Sequence, residues 1–159
     1  MKYIFALGFL FIMSLSVSAQ KKSVVGKWKI SSINSAGTDL DLEHPDGIKK
    51  MLADEMKKEG KEADSATVEQ TFTTVIGALK SLEFEFTNNG LFLVTATNMD
   101  HKQKTDSLTY TVDYSKNLVK TTSNKNGTPK TNEMAISFDK EYLVLNNAAE
   151  KQVLKLKKE

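Results

Sequence analysis

The chain of 159 residues carries 22 basic residues, all of them lysine, against 20 acidic ones, a formal net charge of +2, and no cysteine. Disulfides, thiol catalysis and cysteine-ligated metals are thereby excluded. Near-neutral charge without arginine's planar fork argues against a nucleic-acid partner and against bidentate recognition of phosphate.

Lys2 precedes an apolar run over residues 3–15 that ends in Ser16-Val17-Ser18-Ala19. This is the charged start, apolar middle and small-residue cleavage site of a secretory signal, with the cut expected after Ala19. The run is short for a membrane span of about 20 residues. Residues 1–19 are therefore read as a signal peptide and residues 20–159 as one domain, periplasmic or extracellular once the signal is removed, with no membrane span left. The cut takes away Lys2 and no acidic residue, so the net charge falls from +2 to +1.

Residues 23–33 alternate, with Val24, Gly26, Trp28 and Ile30 on one face and Lys27, Lys29 and Ser31 on the other, which predicts a half-buried first strand. Pro45-Asp46 opens a helix whose apolar positions are Ile48, Met51, Leu52 and Met56, and Gly60 offers its stop. Ser65 is placed to cap a second helix with a stripe of Val68, Phe72, Val75, Ile76 and Leu79. From Leu82 onward the period is two. Leu82, Phe84 and Phe86 alternate with glutamates, Asn88-Asn89-Gly90 turns the chain, and residues 91–96 make a strand whose inward face is ambiguous. Further strands are expected around Leu108, Tyr110 and Val112, over 118–122, around Met134, Ile136 and Phe138, over 142–145, and over 152–157.

The sum is eight strands, one before the helices and seven after, mostly joined by short loops. Short loops favour antiparallel neighbours, and eight is the strand count at which a sheet closes around side chains or one small ligand. The fold class is thus mainly β: an eight-stranded antiparallel up-and-down barrel with a two-helix insertion between the first and second strands. An α+β arrangement, two helices on an open curved antiparallel sheet, is the alternative. Pairing between the first and last strands separates the two.

Gly26-Lys27-Trp28 on the first strand resembles the G-x-W element of lipocalins and other calycins, and residues 25–30 are similar to the opening of bacterial secreted lipocalin-like domains. The resemblance implies that Trp28 packs across the closed end of the barrel and that Gly26 gives the backbone room to approach it. It further implies a cation over Trp28 from near the last strand, a place that lipocalins give to arginine and for which Lys155 or Lys157 is available here. Asp113-Tyr114 is similar to the T-D-Y element of the same family, with Val112 where threonine stands in it.

Function follows as an expectation: non-enzymatic binding of a small apolar or lipid-like ligand by Phe84, Phe86, Tyr110, Met134, Ile136 and Phe138 inside the barrel, with Phe72 and Ile76 either packing on the sheet or forming a lid. The competing reading is an envelope or secreted interaction protein whose barrel is filled by side chains. No cofactor is expected and no catalytic residue is assigned. His44 and His101 lack metal-ligand spacing, and Asp100-His101 has no serine elbow to serve. Asp39, Asp41 and Glu43 share one face if extended and could hold a calcium ion, but the twelve-residue calcium loop is absent, so a solvated acidic edge is the stronger reading. Asn126-Gly127-Thr128 is a glycosylation sequon only in a eukaryotic secretory route.

Overall fold

A computed structural model describes residues 22–61, 64–98, 102–124 and 127–159. The signal segment 1–19, the Asp100-His101 pair and Asn126 lie outside the described residues.

The elements run β1 (Gly26–Ser35), β2 (Thr38–Asp41), α1 (Asp46–Lys58), α2 (Ser65–Lys80), β3 (Glu83–Phe86), β4 (Leu91–Thr97), β5 (Gln103–Asp113), β6 (Leu118–Ser123), β7 (Lys130–Asp139), β8 (Tyr142–Asn147) and β9 (Gln152–Lys158). From β3 to β9 each strand pairs antiparallel with the next, and β9 closes on β1, with Trp28 opposite Lys158 and Ile30 opposite Leu156. Eight strands therefore form a closed ring, and the open-sheet alternative is overturned. Ser31 is an extra residue in the β1–β9 ladder, where the register slips between Ile30 and Ser32. Such a bulge bends the strand and strengthens its twist, which helps a small barrel to close.

The ninth strand, β2, was not expected. It forms a hairpin with the far half of β1, Ser32–Ser35, while β3 pairs only with the near half, Gly26–Lys29. One edge of β1 is thus divided between two partners, and the helix pair is inserted where the partner changes. β2 stops at Asp41 because its carboxylate Oδ1 accepts the backbone N–H of Glu43 and of His44, turning the chain. Glu43 therefore leaves the face that Asp39 and Asp41 share. Its carboxylate instead accepts the Tyr142 hydroxyl at 3.1 Å and lies 3.5 Å from Lys157.

Both helices form where the apolar spacing predicts, with one change at the start of α2. Asp64, not Ser65, is the cap: its carboxylate accepts the Thr67 N–H at 2.8 Å and the Thr67 hydroxyl at 2.9 Å, leaving Ser65 as the first helical residue. β5 and β7 also begin earlier than expected, at Gln103 and Lys130. Their added residues are polar, so hydrophobic alternation could not reveal them.

Candidate ligand-binding site

The strand registers fix which side chains enter the barrel. Trp28 lies opposite Phe84, which lies opposite Val94; Phe86 lies opposite Phe92, which lies opposite Leu108. On the remaining wall Tyr110 faces Thr121, Val119 faces both Val112 and Met134, Ile136 faces Leu145, and Phe138 faces Leu143. All six barrel residues chosen from sequence therefore belong to the inward face. So do Phe92, Val94 and Ala96, which resolves the ambiguous strand. Leu91 and Leu93 are apolar too, and that is why alternation alone could not orient it.

The interior has two unlike halves. Around Trp28 it is solid: Phe86, Val119, Leu143 and Leu156 have no exposed surface. Phe86 stacks on Phe92 with centroids 4.4 Å apart and meets Tyr110 edge-on at 5.0 Å. The Tyr110 hydroxyl donates to the Thr87 carbonyl at 2.8 Å, tying this aromatic cluster to the β3–β4 turn. Removal from water raises the Tyr110 phenol above the ordinary tyrosine value.

Toward the other end the inward side chains are half-buried. Ile33, Leu40, Val94, Leu108 and Leu154 pack on the core from its margin. A pocket of about 460 Å³ opens there, lined by Val94, Asp106, Ser107, Leu108, Ser123 and Asn124. The same end carries buried Thr121 and Asn147, and the Asn147 amide donates to Asn132 Oδ1 at 3.4 Å. The open half is therefore apolar on the β1, β2 and β9 side and polar along β6, β7 and β8.

Ile76 on α2 is buried in the core, and Phe72 packs against it while Lys49 of α1 sits 4.7 Å over its ring. The barrel wall is split beside α2, because β3 begins at Glu83, opposite Thr95, leaving Ala96 and Thr97 beyond its reach. A cleft of about 420 Å³ fills that split, with Leu79, Leu82, Ala96 and Thr97 among its lining residues. The mouth pocket and this flank cleft share no lining residue, so they are two separate openings on the barrel surface.

Trp28 is 3% exposed and its indole N–H donates to the Val24 carbonyl at 2.7 Å. The cation over its ring is Lys158, at 5.5 Å, rather than Lys155 or Lys157, which instead lie 4.1 and 5.7 Å from the Tyr142 ring. The reason is parity: Leu154 and Leu156 point inward, so the next inward position is 158. That signal was in the sequence, one residue past the expected strand end. Asp113 closes the β5–β6 turn by accepting from Ser115 and Lys116, and the Tyr114 hydroxyl accepts the Val24 N–H at 3.2 Å, holding the segment that leads into β1.

Asp41 and His44 form the one strongly oriented histidine contact among the described residues, with Nδ1 and Oδ2 2.9 Å apart. That hydrogen bond and the charge of Asp41 raise His44 above its ordinary 6.5, while the bond from His44, followed by the two backbone N–H groups, lowers Asp41 below 3.8. The histidine contribution is complete below 6.5 and fades as pH rises through the raised value; the aspartate contribution is complete above 3.8 and fades as pH falls through the lowered one. The turn should therefore be firmest between those two values. An NMR titration of the His44 ring in wild type and in Asp41→Asn checks this, the substitution being expected to bring the midpoint back toward 6.5. Among the described residues no group of three potential metal ligands converges, and the turn at Asp41 carries Glu43 away from Asp39 and Asp41.

A closed up-and-down ring of eight strands, with a G-x-W tryptophan packed under a cation at one end, defines a lipocalin-like fold. The solved structures agree. The chain superposes on an uncharacterized protein from Bacteroides eggerthii DSM 20697 with a TM-score of 0.52 and 12% identity, over 86% of this chain and 100% of that one. It also superposes on a lipocalin-like protein from Bacteroides uniformis ATCC 8492 with a TM-score of 0.50 and 13% identity, over 85% of this chain and 97% of that one. No protein-family model matches the sequence, and no curated protein does. Among the described residues no helix is long and apolar enough to cross a membrane.

Proposed function

We propose that the protein is exported by cleavage after Ala19 and, outside the cytoplasm, binds a small amphipathic molecule non-covalently in the open half of its barrel, without catalysis. The carrying observation is the contrast between the halves: one end is filled by its own aromatic rings, whereas Ile33, Val94, Leu108 and Leu154 leave apolar surface partly uncovered beside a pocket of about 460 Å³. Covering that surface supplies affinity at about 25 cal/mol per Å² before ordering costs. The lipid-like part of the ligand belongs against β1, β9 and the helices, and its polar group against Asn132, Asn147, Thr121 and Ser123. Phe84 and Met134 then form the floor, while Phe86, Tyr110, Ile136 and Phe138 hold the barrel in shape beneath it. Phe72 and Ile76 fix α2 beside the flank opening.

Protein purified after expression of the full chain, extracted with organic solvent and then titrated with the neutral dye N-phenyl-1-naphthylamine, tests this. Saturable binding is expected, weakened about tenfold by Leu108→Lys, which sets a charge into the apolar wall. Leu108 is only partly buried, so the melting temperature should fall less than for a truncation in the solid half. No saturable binding and no extracted compound would favour instead an interaction protein with a filled barrel, a reading to which the stacked Phe84, Phe86 and Phe92 rings lend support.

A further inference from the structure

We infer that the opposite end of the barrel, outside Trp28, is a separate site for a small organic carboxylate with an aromatic body. A pocket of about 450 Å³ lies there, lined by Lys22, Ser23, Trp28, Phe138, Lys140, Glu141 and Lys158. Its floor is the partly exposed Phe138 ring beside the buried Trp28, and its rim is cationic.

Two of the ammonium groups are positioned rather than loose. Lys158 lies over the Trp28 ring and donates to the Val25 carbonyl at 3.4 Å. Its stem crosses Gly26, where a Cβ would come within 3.0 Å of the lysine Cε. Lys22 lies 6.0 Å from the Phe138 centroid and donates to the Phe138 carbonyl at 3.4 Å. These acceptors are neutral and the bonds long, so each ammonium keeps donors to spare for an anion.

The nearby carboxylates are already engaged. Glu141, the acid in the pocket wall, lies 3.3 Å from Lys157; Asp139 lies 3.8 Å from Lys155; and Glu159 bonds Lys29 at 2.5 Å on the far side of β1. Lys22, Lys140 and Lys158 have no carboxylate partner among the described residues, so the pocket holds a net positive field over an apolar floor. Lysine binds as a point charge, which suits a single carboxylate better than planar bidentate recognition. An aromatic body is favoured because the partly exposed Phe138 ring lies between the cations, next to Trp28.

The experiment titrates the protein, purified after expression of the full chain, with 4-phenylbutyrate and with its uncharged amide. Binding is followed by calorimetry and by the indole N–H resonance of Trp28, the chain's single tryptophan. The expected result is saturable binding of the carboxylate that shifts the Trp28 resonance, falls about fivefold in the amide or in the Lys22→Ala/Lys140→Ala variant, and weakens in about 0.5 M salt. Both substituted lysines are exposed, so the variant should melt as wild type does. N-phenyl-1-naphthylamine in the open half should not displace the carboxylate, and Leu108→Lys should leave its affinity unchanged, so failure of either site is read separately. Equal affinity for acid and amide, an unshifted Trp28 resonance, or full affinity in the double variant would overturn the inference.

Discussion

Replacing Phe86 with alanine is expected to lower the free energy of unfolding by about 3–5 kcal/mol, measured by urea denaturation. Phe86 has no exposed surface and its ring is shared between Phe92 and Tyr110. The residue opposite it on β1 is Gly26, which has no side chain to move into the space. The void must therefore persist, and the cost of a core truncation rises with the volume left empty. A loss below about 1 kcal/mol would mean that this end of the barrel repacks freely, contrary to its solid interior.

Gly26→Ala is the second large expected effect, and it acts through the backbone. Gly26 has φ of +133°, a conformation whose enforced use by a side-chain-bearing residue costs about 1–3 kcal/mol. The new methyl would also meet the Lys158 stem, displacing the ammonium from the Trp28 ring. The variant should show both a lower melting temperature and a changed Trp28 emission. Lys158→Met should reproduce the emission change with the backbone unstrained, and so with a smaller loss of stability. Equal losses in the two variants would show that strain at Gly26 is not the source.

The barrel was legible because its signals are redundant. Trp28 and Ile30, Phe84 and Phe86, and Met134, Ile136 and Phe138 each declare an inward face by alternating with polar residues, and eight such runs with short turns leave few ways to hide their edges. Asn88-Asn89-Gly90 marks its turn, and the apolar stripes through Ile48 and Ile76 mark the two helices.

What escaped the sequence was polar or cooperative. β2 is four residues long and exists because β1 outruns β3, a fact of registers that no local pattern contains. The extensions at Thr105 and Thr131 carry no apolar period. The candidate site was legible only as a direction: the residues chosen were inward, yet the largest aromatic rings mostly spend their surface on one another. The smaller Val94, Leu108 and Leu154 are left to line the open half, since a side chain's share of uncovered surface depends on its depth along the barrel and not on its hydrophobicity.

The divided edge of β1 has a consequence for how this molecule comes apart. Because β2 and the helix pair hang on the ring without completing it, they could leave it with all eight staves of the cask still paired, at the cost of uncovering Leu42, Ile48 and Ile76. Such a local opening would widen the flank beside Ala96 without any seam of the cask being broken, at a cost below that of global unfolding, and would give the proposed guest a way in.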